Sequence, residues 1–168
     1  MALSVKKINL WRGELDDKPG ALAKILAPLA AAGSNLRLVM GYRLGGTAGR
    51  AAVELFPVTS KKATAAASGA GLATVTTPAL LVEGDDRPGL GHTIAQAIAD
   101  AGIDLGYVVA QVAGKRYSAI LGFSADADAD KAVGLIKKAA TAKLAVKKPA
   151  AKKTAAKKPA RKKSAGKK

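Results

Sequence analysis

The chain writes one acidic corner twice. Residues 16–20 read Asp-Asp-Lys-Pro-Gly and residues 85–89 read Asp-Asp-Arg-Pro-Gly, a displacement of 69. The same displacement carries Ile25 onto Ile94, Leu29 onto Ile98, Gly33 onto Gly102 and Leu36 onto Leu105. A register that holds from a turn, along a helix and into the next strand marks a duplicated unit. Arg50 then matches Arg116 at a displacement of 66, so the first copy is longer in its Gly-rich connection, Leu-Gly-Gly-Thr-Ala-Gly-Arg at 44–50. A unit of this size lies near the lower limit for an independent core. Two copies in one chain therefore gain by packing on each other.

Each copy predicts the same order of elements. A short apolar strand, about 7–14 and 79–84, leads into the corner. Pro19 and Pro88 suit a first helical turn, where the missing N–H has no partner to lose. Asp17 and Asp86 fall near the N-cap, where a carboxylate accepts orphan amide bonds and complements the helix dipole. Leu22, Ile25, Leu26 and Leu29 form the apolar stripe of the first helix; Ile94, Ala97, Ile98 and Ala101 form that of the second copy. Gly33 and Gly102 fit helix C-termini, and Pro28 predicts a kink or an early end. Hairpins follow, 35–43 with 50–57 and 104–112 with 116–123, joined by glycine-bearing turns. Leu36, Leu38, Met40 and Tyr42 alternate with Asn35, Arg37 and Arg43, the mark of a sheet with one buried face. Second helices are expected near 60–68 and from Ser124 or Asp126 to about Ala140. The last strand of copy one is 72–77; copy two offers only a poor candidate at 143–146.

The fold class expected is therefore α+β: two ferredoxin-like βαββαβ modules with antiparallel sheets, at 6–77 and 78–146, followed by a tail at 147–168. The chain has no cysteine and one histidine, His92, so thiolate and multi-histidine metal sites are excluded. No cofactor or metal is expected. His92, on the first turn of the second copy's helix, reads as an exposed or capping residue. Trp11, after alternating Ile8 and Leu10, reads as a packing or interface residue. The 44–50 connection lacks the Gly-Lys-Ser/Thr ending of a phosphate loop. Adjacent side chains diverge, and nothing nucleophilic supports the Asp pairs, so they are no acid–base dyad. The N-terminal Lys6 and Lys7 do not read as a signal peptide, and the apolar stretch 21–33 is too short to span a bilayer. A cytoplasmic location is expected, with nucleoid association as a possibility.

The strand, the Asp-x-Pro-Gly corner, the amphipathic helix, its closing Gly and the following Asn/Asp-Leu strand resemble the ACT domain, a small ligand-binding regulatory module. The carriers are residues 15–36 and 83–105. The match spans about 6–146 as a tandem pair, nearest to the architecture of glycine-cleavage regulators. The resemblance implies sensing of an amino acid or related effector without catalysis. It also implies side-by-side pairing of modules, within a chain or in a homodimer, with ligand at the pair interface against the corner. A free amino acid is a zwitterion. Its carboxylate can accept from amides at a helix N-terminus, near Gly20, Ala21 and Leu22 or near Gly89, Leu90 and Gly91, where glycine allows close approach. Its ammonium needs an anion, which Asp16, Asp17, Asp85 or Asp86 can supply; Asn35 and Asp104 open the next strands and can line the same cleft. The corners also have a purely structural reading, as helix caps.

The net charge of +16 is unevenly distributed. From Lys137 onward there are 14 Lys and Arg and no acid, whereas residues 1–136 hold 14 bases and all 12 acids. Residues 147–168 repeat a Lys-Lys pair every five positions, with no aromatic and nothing apolar larger than alanine. Such a segment buries too little to offset its ordering entropy and is expected to be disordered. It resembles, in composition, the tails of linker histones and some bacterial nucleoid proteins. Its cations, Lys147, Lys148, Lys152, Lys153, Lys157, Lys158, Arg161, Lys162, Lys163, Lys167 and Lys168, suit phosphate binding without base readout, to DNA or RNA. Two functions that use the tail follow. One is a non-enzymatic effector-binding regulator with a nucleic-acid-binding arm. The other is a nucleoid-associated, DNA-bridging protein whose paired modules only oligomerise. A third, a subunit that regulates an enzyme in trans, leaves the tail incidental.

Overall fold

In the computed structural model the first strand expected from the sequence is two strands in different sheets. The structure describes residues 3–141. Strand β1 (Ser4–Ile8) pairs antiparallel with β6 (Ala79–Asp85), Ser4 opposite Glu83 and Ile8 opposite Ala79. The chain then crosses over, and β2 (Trp11–Asp16) enters the other sheet. Leu10, fully buried, sits at the crossing, and its carbonyl accepts from Val75 N–H at 2.8 Å.

The first sheet has the order β3-β4-β2-β5, with β3 (Leu38–Arg43), β4 (Arg50–Phe56) and β5 (Ala73–Thr74). The second has the order β1-β6-β8-β7, with β7 (Leu105–Ala113) and β8 (Arg116–Phe123). In the second sheet β1 thus takes the place that β5 takes in the first. Residues 6–8, expected in the first module, lie in the second sheet. The 143–146 strand candidate lies outside the described residues, as does the 147–168 tail.

Each sheet carries two helices on one face: α1 (Ala21–Ala31) and α2 (Lys61–Gly69) on the first, α3 (Leu90–Ala99) and α4 (Asp126–Thr141) on the second. The architecture is α+β, as expected. Gly33 and Gly102 follow α1 and α3 with left-handed φ of 73° and 69°. Helix α1 runs past Pro28 to Ala31, so the proline does not end it; fully buried Leu29 holds that turn against Val53 and Leu55. Two further expectations are corrected. Each helix begins two residues after its proline, and the N-cap is Gly20 or Gly89 in the left-handed region, without a side-chain cap. Asp17 and Asp86 are therefore not the caps. The last strand of copy one is only two residues long.

Three apolar layers hold the modules. Leu80, Val82, Leu121 and Phe123 bury one face of the second sheet under Ile94, Ile98 and Ile136. Leu29, Val53, Leu55 and Leu72 do the same in the first module, joined by half-buried Trp11. Each fully buried aliphatic or aromatic side chain of this kind contributes about 1.5–3 kcal/mol. Between the two sheets lie Ile8, Leu10, Leu81 and Ile120, with Leu38, Phe56 and Tyr107 packed against them. The sheets therefore meet through the faces that the helices leave bare.

Candidate functional site: the two acidic corners

At the first corner β2 ends on Asp16, and the chain turns tightly. Asp17 N–H donates to Gly49 O at 2.9 Å, Lys18 N–H to Asp16 O at 2.9 Å and Ala21 N–H to Lys18 O at 3.2 Å. Gly20 supplies the left-handed turn, with φ 83°, a conformation that costs a side-chain-bearing residue about 1–2 kcal/mol. Helix α1 starts there. Its Lys24 N–H returns to Gly20 O at 3.1 Å, but the N–H groups of Leu22 and Ala23 meet no backbone or side-chain acceptor among the described residues. Amides of this kind at a helix N-terminus attract anions.

The acids of this corner are paired with cations. Asp16 lies opposite Arg50 in the β2–β4 register and accepts from Arg50 Nη1 at 2.9 Å and from Lys18 Nζ at 2.7 Å. The Lys18 ammonium first, and then the Arg50 guanidinium, holds the Asp16 carboxyl below its ordinary range. Asp17 is 2.6 Å from Arg43 Nε. Asp16 and Asp17 line a cleft of about 310 Å³, with Leu15, Ala21, Leu22, Gly41 and Ala51 as its apolar wall and Lys18, Tyr42 and Arg43 at its rim. A second groove, of about 590 Å³ between α1 and α2, shares Leu15, Asp16, Lys18 and Ala21 with it.

The cleft is open because its floor and roof are small. Ala21 begins the helix above it, and Ala51, opposite Leu15, lies below. Copy two repeats the turn: Asp86 N–H donates to Lys115 O at 2.8 Å, Gly89 has φ 78°, and Arg116 Nη1 reaches Asp85 at 3.0 Å. Its interior differs. Leu90 stands where copy one has Ala21, and Tyr117 where it has Ala51; both side chains are buried. Gly84, opposite Tyr117, accommodates Leu3, whose Cδ2 lies 2.4 Å from where a Cβ would stand. Burial, and then the charge of Asp86, pushes the Tyr117 hydroxyl above its ordinary range.

The structure thus brings Asp16, Asp17, Ala21 and Leu22 to one cleft. Gly20 shapes the turn without lining it, and exposed Asn35 stands apart. In copy two Asp104 accepts from the following Leu105 N–H at 3.0 Å, and Gly89, Leu90 and Gly91 sit over a filled space. His92 is exposed. The sequence reading missed Lys18, Tyr42, Arg43 and Arg50. Their signal was the register: Arg50 falls opposite Asp16 once the hairpins are paired. It also missed Glu54, a lone charge in the apolar run of β4, buried between the sheets with one oxygen unpartnered. No group of three or more metal-ligating side chains is found among the described residues, and no helix among them is long and apolar enough to cross a membrane.

No family model and no curated protein matches the chain. Solved structures do. Protein BT0572 from Bacteroides thetaiotaomicron superposes with a TM-score of 0.63 at 18% identity, covering 81% of this chain and 89% of that one. The ligand-free regulatory subunit of aspartate kinase from Thermus thermophilus gives a TM-score of 0.57 at 16% identity, with coverage of 83% and 97%. A structure of aspartokinase alpha and beta subunits gives 0.55 at 16%, with the same coverage. At these identities the likeness is one of fold: the chain shares with these structures a tandem, ferredoxin-like arrangement of two four-stranded antiparallel sheets, each with two helices.

Proposed function

We propose that the protein is a non-enzymatic regulator whose first corner binds a small amino-acid effector. The observation that carries this reading is the pair of unpartnered amides, Leu22 and Ala23, beside an open cleft that has cations and carboxylates on its rim. An α-carboxylate placed there accepts from the two amides, with Lys18 and Arg43 alongside. The α-ammonium shares Asp16 or Asp17 with the cations already bound to them. The aspartate kinase regulatory subunit of like fold supports a regulatory role. The reading is confined to the first corner, because Leu90 and Tyr117 fill the second.

Both sheets end on exposed apolar edge strands, with Val39 on β3 and Val108 and Val112 on β7. We propose that such an edge pairs two copies of the chain, which sets the ligand cleft beside a module interface. The cationic residues 147–168 then act as an arm on nucleic acid. The same exposed edges favour a second reading, in which paired modules only present several arms to bridge DNA.

Calorimetry of the full chain against the twenty amino acids separates these readings. Binding that disappears in the double variant Ala21→Leu/Ala51→Tyr, which imports the plug of copy two, supports the effector site. Silence across the panel discards it and leaves the bridging reading.

A further inference from the structure

A crevice of about 190 Å³ lies between the two sheets, on the side away from the helices. Its floor is the second sheet, and the register arranges that floor in two rows. Ser118 and Gln111, cross-strand partners on β8 and β7, line it as a polar row, which Glu83, opposite Ser118 on β6, extends just outside the lining. Leu81, Ile120 and Val109 form an apolar row beside it. The roof is Leu38 and Phe56, themselves cross-strand partners on β3 and β4. Arg37 closes the mouth. Its backbone is fixed by N–H donation to Phe56 O at 2.7 Å, and its guanidinium pairs with Glu83, linking one module to the other.

We infer that this inter-sheet crevice is a second binding site, for a small zwitterion with a compact branched aliphatic body. The volume equals about six waters' share of the liquid, below the ~300 Å³ at which drug-sized pockets begin. The apolar row and the two roof residues want a short hydrocarbon. The mouth holds one cation and one anion already paired. A simple carboxylate would take Arg37 and leave Glu83 without its partner; a simple amine would do the reverse. A zwitterion satisfies both, its carboxylate on Arg37 with Gln111 and Ser118 as donors, its ammonium on Glu83. This avoids the penalty of leaving a half-buried charge unpaired. Because Arg37 and Glu83 belong to different modules, occupancy replaces their direct link with one through the ligand. The site is separate from the first corner, and the inference does not rest on the reading of that corner.

L-valine is the probe, titrated calorimetrically into the full-length protein with isobutyrate and isobutylamine as controls. The expected result is saturable binding of L-valine, at least tenfold weaker binding of both controls, and at least tenfold loss in Arg37→Met. A second variant, Gln111→Glu, lies on exposed surface and sets a like charge beside the ligand carboxylate; it should lose affinity to a similar extent. Binding should persist in Ala21→Leu/Ala51→Tyr. No binding of L-valine to the wild type, or binding untouched by Arg37→Met and Gln111→Glu, overturns the inference. Loss in the Ala21→Leu/Ala51→Tyr variant with retention in Arg37→Met also overturns it, and assigns the ligand to the first corner instead.

Discussion

Tyr42 donates its hydroxyl to Glu54 Oε1 at 2.8 Å. Tyr42 is also on the rim of the first-corner cleft, while Glu54 is the buried charged residue among those described, placed between the sheets with Oε2 unpartnered. One hydrogen bond thus joins the cleft to the inter-sheet layer. Removing one partner of such a bond leaves the other desolvated and unsatisfied, which costs about 1–3 kcal/mol. Tyr42→Phe should destabilise the protein by that amount in urea unfolding. The double variant Tyr42→Phe/Glu54→Met, which removes both partners, should recover most of it. Strict additivity of the two single changes would show that the bond does not couple them.

Alkaline pH should destabilise the fold through Tyr107. Its ring lies against Gly122, where an added Cβ would fall 2.1 Å from Tyr107 Cε1. Burial first, then the negative charge of Glu54, raises the Tyr107 hydroxyl well above its ordinary value of 10.0. The folded state therefore holds this proton more tightly than the unfolded chain. The stabilisation is fully present below about pH 10 and is lost as pH rises above it. Tyr107→Phe should flatten the fall in thermal midpoint above pH 10. An unchanged slope would mean that Tyr107 ionises as freely folded as unfolded.

Ile8 anchors the exchanged strand. It ends β1 opposite Ala79 and is buried in the layer between the sheets. Ile8→Ala should cost about 2–5 kcal/mol, the usual range for such a truncation in a core. The exposed pairs that β1 makes through Lys7, to Asp130 at 2.6 Å and Asp126 at 3.2 Å, are screened by solvent, so Lys7→Ala should cost far less than Ile8→Ala. Chemical denaturation of both variants ranks the two contributions, and a reversed ranking would place the strand's anchorage in its charges.

DNA binding by the arm should be steeply salt-dependent. Residues 147–168 carry 11 cations, and each phosphate neutralised adds about 0.9 to the slope of log affinity against log salt. Truncation after Thr141 should abolish retardation of a duplex of arbitrary sequence. If the truncated chain retards DNA as well as the full one, the nucleic-acid contact lies on the body.

Much of this architecture is written in the sequence, because it depends on local signals. The duplicated Asp-Asp-x-Pro-Gly corner, the 3.6-residue stripe through Leu22, Ile25 and Leu29, and the glycine-bearing hairpins are each legible within one stretch of chain. They determine two modules with helices on one side of antiparallel sheets. The turn at Gly20 is not among these signals: the same residues predict a helix whose first turn holds Pro19, with Asp17 near its cap, whereas the helix starts at Ala21.

The tertiary structure decided what depends on residues far apart. Residues 7–14 read as one strand, yet they straddle Ser4–Ile8 and Trp11–Asp16; only the unfilled edge of the second sheet, beside β6, separates the two. The acids at the corner read as caps until the hairpins set Arg43 and Arg50 beside them. The corners look equivalent in sequence, yet Ala51 leaves one open and Tyr117, with Leu90 and Leu3, fills the other. Local backbone preference specifies a turn wherever it occurs, but the volume inside that turn is set by side chains brought to it from distant strands.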